Sequence, residues 1–167
     1  MTEILDIVND KDEVIGQEER LIVHQKQLLH RYVHVLIVRS DGNLVIQQRH
    51  PKVTNYPSTF DASAGEHVRS GESYLDAAMR GLTEELGIET KVRFLAKIQN
   101  CLNPAIENMI GELFIGHHDG PYHPQVLEIS RLEFMTIEEL DFILGRYPYL
   151  ICDNFKPSIS AFMNANR

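Results

Sequence analysis

Glu84 and Glu85 stand side by side near the end of a helix-like segment, Ser73 to Leu86. The stretch Gly65-Glu66-His67-Val68-Arg69-Ser70-Gly71-Glu72 runs into it as a loop carrying two glycines. Adjacent carboxylates beside small residues suit a hard divalent cation held against a phosphate. With residues about 100° apart round a helix, Leu75, Ala78, Met79, Leu82 and Leu86 form an apolar stripe centred on Leu75. Ala77, Gly81, Glu84 and Glu85 then share another face, two carboxylates with small residues beside them. A plainer reading is a solvated helix end with Arg80 paired to Glu84 at the i,i+4 spacing. For an isolated Glu-Glu pair that reading carries more weight. The negative end of a helix dipole disfavours carboxylates, however, and that favours a counter-ion.

The surrounding chain must position this face. Ile4–Val8 and Glu13–Gly16 flank a polar turn and predict an N-terminal hairpin within residues 1–20. Arg31–Arg39 is rich in β-branched residues and predicts a strand, followed after Asp41-Gly42 by a second over Leu44–Gln48. Residues 50–58, with Pro51 and Pro57, read as a loop. Gly87 stands where a C-terminal cap glycine belongs. Strands are predicted over Lys91–Ile98, Met109–Ile115 and Leu132–Met135. Thr136 and Glu139 form a capping box for a helix to Leu144, and Pro157–Asn164 predicts a last helix. The pattern is a single mixed α/β domain over 1–167 with helices flanking a mixed sheet.

A net charge of −8 disfavours a nucleic-acid polymer as partner. It leaves open an anionic small molecule, because a bound metal supplies local positive charge. No apolar run approaches membrane-spanning length and the first residues lack signal-peptide features, so a cytoplasmic protein without a membrane partner is expected. Cys101 and Cys152 fit no metal-ligand spacing and read as reduced thiols. Oligomeric state is not legible.

The spacing of the loop-helix, residues 65–88, resembles the Nudix box. Glu72, Arg80, Leu82, Glu84, Glu85, Gly87 and Ile88 fall in place. Two positions depart: Glu66 stands where the box has its first glycine, with Gly65 one place early, and Gly81 stands where it has a glutamate. Glycine inside a helix also costs roughly 1 kcal/mol, so something must offset it. Nearly the whole chain is similar to the isopentenyl-diphosphate-isomerase-like branch of that superfamily. The residues that carry this are His24, His30-Arg31, Gly42-Asn43-Leu44, Gln48-Arg49, Phe60-Asp61, His67-Val68, Gly71-Glu72-Ser73, Glu107-Asn108, Glu128 and the hairpin ending Asp12-Glu13-Val14-Ile15-Gly16. The resemblance implies a Nudix α/β/α sandwich.

The resemblance puts the isomerase's catalytic cysteine at Gly65 and its catalytic glutamate at Met109. Neither side chain transfers a proton, so isomerisation is disfavoured. The superfamily chemistry that the resemblance then implies is Mg²⁺- or Mn²⁺-dependent hydrolysis of a diphosphate linkage in a small molecule, such as a nucleoside diphosphate derivative. Glu84 and Glu85 would be the principal metal ligands, with a backbone carbonyl near Gly65 or Glu66 beside them. Arg49 and Arg80 would contact phosphate, or hold Glu72 and the loop, the second role weighing more for Arg80. Glu128 would be a general base or an ordinary loop carboxylate. His30, His67 and Glu107 match a second metal site suited to Zn²⁺ or Mn²⁺, with His24 one residue out of register, or are polar pocket residues. A non-catalytic module that binds a nucleotide or diphosphate is the alternative, with Gly81 and Glu66 as its grounds.

Overall fold

The structure, a computed structural model, describes residues 2–99 and 108–166. Its elements are β1 (Ile4–Val8), β2 (Val14–Glu19), α1 (Arg20–Gln25), β3 (His30–Val38), β4 (Leu44–Arg49), β5 (Phe60–Asp61), β6 (Ala64–His67), α2 (Tyr74–Leu86), β7 (Val92–Gln99), β8 (Met109–His117), β9 (Ile129–Met135), α3 (Ile137–Arg146) and α4 (Lys156–Ala165). A short 3-10 turn, Pro148–Leu150, precedes α4. The strands form one mixed sheet.

β3 is the axis of this sheet. Val33, Val35 and Ile37 pack on one side with Ala78, Leu82 and Leu86 of α2. Tyr32 and Leu36 pack on the other with Leu140 of α3 and Phe155 and Ile159 around α4. A strand covered on both faces needs a nearly continuous apolar run, which Val33 to Val38 supplies apart from His34. β3 pairs in parallel with β8 over its whole length, and β7 lies antiparallel outside β8. β3 also pairs antiparallel with β6 along its first half and with β4 at its end. β4 in turn holds β5 and β9. The β1–β2 hairpin joins β3 where Ile7 meets His30. With α2 on one face and α3 and α4 on the other, the architecture is an α/β/α sandwich.

α2 starts on Ser73, whose hydroxyl accepts from the Asp76 N–H, and ends on Gly87 at φ 63°. Only a residue tolerant of positive φ closes a helix this way. The Thr136–Glu139 capping box starts α3. Three local features differ from the sequence reading. Residues 65–67 are strand rather than loop, because β6 pairs with β3. α1 follows β2 directly, too short for a periodic signal. Leu75 is 47% exposed, so it does not centre the buried face of α2. That face is instead Ala77, Ala78, Gly81, Leu82, Glu85 and Leu86, which puts Glu85 among the buried residues. Small residues were the marker, since α2 lies close against β6 and only small side chains fit between.

Candidate active site

A cleft of about 570 Å³ opens beside β6 and the 50–58 loop. That volume suits a small molecule. Its wall includes Arg49, Asp61, Gly65, Glu66, Glu84 and Glu128. Met109 and His67 also line it, whereas Glu85 and Arg80 lie behind the wall.

Arg80 fastens the loop to the helix. Its Nε and Nη2 donate to the two oxygens of Glu72 at 2.9 and 3.0 Å. Nη2 also donates to the His67 carbonyl at 2.8 Å, and Nη1 to Glu66 at 2.9 Å and Glu84 at 3.2 Å. The planar fork of a guanidinium suits this many-sided role. Its donors are committed to protein oxygens, so the loop-holding role is the one the geometry supports. Glu84 is half-exposed and also meets Arg69 at 3.5 Å.

Glu85 differs from its neighbour. It is 6% exposed, and its oxygens accept from the Gly65 N–H at 2.8 Å and from Gln47 Nε2 at 3.1 Å. Both donors are neutral. Burial pushes its pKa well above the ordinary carboxylate range, and the charges of Glu66 and Asp61 push the same way. The two hydrogen bonds do not cancel this.

Gly81 faces Glu66. A Cβ built on Gly81 would lie 2.7 Å from Cγ of Glu66 and 3.6 Å from its Cβ. Real side chains do not approach so closely, so Glu66 fills the space a side chain at 81 would need. This is what offsets the helical glycine.

Arg49 donates from Nε to the Asn55 carbonyl at 3.1 Å and from Nη1 to the buried Asp61 at 3.4 Å. Asp61 lies 3.7 Å from His34 Nε2, and His34 Nδ1 is 2.9 Å from the Ser158 hydroxyl. His34 is therefore more than a plain strand histidine: it links the cleft floor to α4. Glu128 is exposed at the rim, where its carbonyl accepts from the His50 N–H.

His24, His30 and His67 form a second group. They come from α1, the start of β3 and the end of β6, and their potential ligand atoms lie within 4.8 Å of one another. Among the described residues this is the one such group of three. Nε2 of His24 and Nε2 of His30 are buried without a hydrogen-bond partner. His30 Nδ1 lies 2.8 Å from the Leu28 carbonyl. A carbonyl only accepts, so Nδ1 carries the proton and Nε2 keeps its lone pair, the form a metal takes. Burial lowers all three pKa values, that of His30 to about 4. Glu107 lies outside the described residues.

Gly65 and Met109, the positions of the isomerase's acid–base pair, both face the cleft. A Cβ at Gly65 would also meet His34 Cδ2 at 3.0 Å, so a cysteine there would crowd the cleft floor.

Of the sequence-derived residues, the cleft brings together Arg49, Gly65, Glu66, Glu84 and Glu128. His67 lines the cleft too and belongs with His30 to the adjoining histidine group, and Arg80 and Glu85 lie one layer back. Sequence reasoning missed Asp61, His34 and Gln47 as parts of the site. Asp61 had a signal, since it belongs to the Phe60-Asp61 pair that carries the resemblance; Gln47 had none. His24 was within one residue of the pattern and joins the group because α1 turns it inward.

Residues 28–150 match the NUDIX domain family. An uncharacterised Nudix hydrolase of Yersinia pestis is 34% identical over 155 residues, covering 93% of this chain and 80% of that protein. The uncharacterised Nudix hydrolase YfcD of Escherichia coli K12 is 32% identical over 161 residues, covering 93% and 82%. The crystal structure of DR0079 from Deinococcus radiodurans superposes with a TM-score of 0.81 at 26% identity, covering 99% of this chain and all of that one. A family match over most of the chain, relatives aligned along nearly its full length and a shared architecture agree: the chain belongs to the Nudix hydrolase family.

Proposed function

We propose that the protein is a Mg²⁺- or Mn²⁺-dependent hydrolase that cleaves a diphosphate linkage in a small molecule, a nucleoside diphosphate derivative or a similar compound. Glu85 carries this reading. It is a buried carboxylate with neutral donors only, set directly behind Gly65 at the cleft wall. Buried negative charge with no protein cation in contact is costly unless an external cation compensates it. The Gly65 N–H points at Glu85, and in a strand the carbonyl of the same residue points to the same edge. That peptide therefore offers another oxygen beside the carboxylates. An all-oxygen donor set of this kind suits Mg²⁺ or Mn²⁺.

When bound, the cation neutralises phosphate charge and lowers the pKa of water. Glu84 and Glu85 hold it. Arg49, fixed by Asn55 and Asp61, takes a phosphate oxygen from the cleft wall. Arg80 keeps the loop registered on α2. Glu128 at the rim accepts a proton from the attacking water. His24, His30 and His67 hold a second ion, Zn²⁺ or Mn²⁺, and the resemblance adds Glu107. The two unpartnered imidazole nitrogens support that assignment. No helix among the described residues is long and apolar enough to cross a membrane, and the reading places the protein in the cytoplasm.

One observation favours a binding module without turnover: the Glu84 carboxylate is engaged by Arg80 and Arg69. The separating experiment is turnover with Mn²⁺ over nucleoside diphosphates, dinucleotides, nucleotide sugars and prenyl diphosphates, wild type against Glu84→Gln. Hydrolysis of at least one compound, lost in the variant, is the expected result. Binding of a compound with no turnover anywhere in the panel would return the non-catalytic reading.

A further inference from the structure

Two departures from the Nudix box, Glu66 and Gly81, lie fifteen residues apart in the chain and touch in the fold. The space a side chain at 81 would enter holds the methylenes of Glu66, with Cγ 2.7 Å from the Cβ site. Residue 81 is buried on the helix face that carries Glu85, and Ala64 closes the same space at 3.8 Å. Glu66 lines the cleft, whereas Glu85 lies behind the wall. A glutamate at 81 and the glutamate at 66 in its present conformation therefore compete for one volume, and the first could enter only by displacing the second.

We infer that Glu66 supplies the carboxylate that α2 lacks at Gly81. Carboxylate and glycine have exchanged places between strand and helix, and Glu66 joins Glu84 and Glu85 as a ligand when the cation draws the three together, their oxygens not all lying within 4.8 Å of one another without it. This rests on the metal-dependent reading above. The strand supplies what the helix lost because the two elements meet at this point: β6 runs along α2, and the side chain of Glu66 crosses the face of Gly81. Arg80 holds the Glu66 carboxylate on the side where it also grips Glu84, so one guanidinium collects both acids at the cleft wall. The buried Glu85 completes the set from behind. The arrangement also accounts for the glycine inside α2. A residue with a Cβ there would displace a ligand, and the helix-propensity cost is the consequence of keeping it.

The test is a reciprocal exchange made in a His24→Ala background, which opens the histidine group, and read by Mn²⁺ binding, with free Mn²⁺ followed by electron paramagnetic resonance and the melting temperature of each metal-free variant recorded beside it. Glu66→Gln keeps an acceptor for Arg80, which retains its bonds to Glu72, Glu84 and the His67 carbonyl, so that variant folds. Its Mn²⁺ Kd should rise roughly tenfold or more, as expected for a group in or beside the coordination sphere. Gly81→Glu alone should lower the melting temperature, because it drives a side chain into Glu66. The double variant Glu66→Gly with Gly81→Glu removes the crowding and returns the carboxylate to the helix. It should recover both melting temperature and Mn²⁺ affinity. An unchanged Kd in Glu66→Gln while Glu85→Gln abolishes binding would show that Glu66 only neutralises Arg80. That would overturn the exchange and leave the hydrolase reading intact. A double variant no better than its single parents would also overturn it. Absence of Mn²⁺ binding in the wild type would remove the exchange together with the reading it rests on.

Discussion

Asp12 and Glu85 are both carboxylates that join distant elements, yet the protein treats them in opposite ways. Asp12, in the β1–β2 turn, accepts from Arg31 Nε at 2.6 Å and from the Tyr74 hydroxyl at 2.9 Å, and it pairs with Lys97. Those partners come from β3, α2 and β7. Burial alone would raise its pKa, but the bonds from Lys97, Arg31 and Tyr74 outweigh burial and leave it below the ordinary range. Glu85 has neutral donors and two negative neighbours, and its pKa is raised. One carboxylate is neutralised by cations of the chain. The other is left with excess charge next to a cleft. A fold that satisfies Asp12 so fully and leaves Glu85 so exposed to repulsion separates a structural junction from the place where, on the proposed reading, an outside cation binds.

The largest expected effect comes from removing that excess charge. Glu85→Gln should lower metal-dependent hydrolysis by roughly a hundredfold or more, since a metal contributes several kcal/mol to the transition state and each 1.36 kcal/mol is tenfold. The metal-free protein should hold or gain stability. A carboxyl whose folded pKa is raised opposes folding as pH climbs past its unfolded pKa, and Gln removes that slope. The Gln47 amide can turn to present its oxygen to the new amide, so no donor is stranded. Thermal melts without metal at pH 7, beside steady-state rates with Mn²⁺, check both halves. A destabilised metal-free variant would break the comparison, because it would make Glu85 a structural group like Asp12.

Much of this arrangement was legible in the chain, and for identifiable reasons. The β-branched run from Val33 to Val38 announced a strand. Gly87, Thr136 and Glu139 marked helix ends by local chemistry alone. The spacing of Glu72, Arg80, Glu84 and Glu85 pointed to the candidate site, whose roles remain proposals. Other features depended on contacts between segments. Leu75 reads as core by periodicity, but close packing of α2 on β6 turned the face of Ala77, Ala78 and Gly81 inward. β6 became a strand by pairing with β3, which residues 64–67 do not announce. Glu66 and Gly81 each read as a lost residue until the fold sets them against one another. Asp61, His34 and Ser158 join across as many as 124 residues, and no local pattern links them.

The next effect should fall on the other side of the comparison. Asp12→Asn should cost about 1–3 kcal/mol, the range for losing charge-assisted hydrogen bonds. Asn suits the position because Asp12 lies at φ 64°, a conformation asparagine also tolerates. Metal-dependent turnover should stay near wild type, since the junction does not touch the cleft. The pH dependence follows from the lowered pKa of Asp12. Its stabilisation is present above the unfolded value of about 3.9 and is lost as pH falls through the folded value. The stability difference between wild type and Asp12→Asn, measured by urea unfolding, should therefore be constant from pH 5 to 7 and shrink below about pH 4. A difference that grew on acidification would place the important charge elsewhere.

The smallest effect sharpens the distinction between neutral and charged donors. Tyr74 gives Asp12 its one neutral side-chain donor, while its ring lies 4.3 Å from Lys97 Nζ and 5.6 Å from the Arg31 guanidinium carbon. Tyr74→Phe removes the hydroxyl and keeps the ring, and with it both cation–π contacts. The loss should be near 1 kcal/mol, the net worth of one hydrogen bond. The acid limb of the stability profile should remain, because Arg31 and Lys97 still stabilise the ionised carboxylate. Glu85 is what such a carboxylate becomes when it has neutral donors alone. If Tyr74→Phe abolished the acid limb, the neutral hydroxyl would be holding Asp12 ionised. Two neutral donors would then suffice to satisfy Glu85, and the case for a cation beside it would lose its footing.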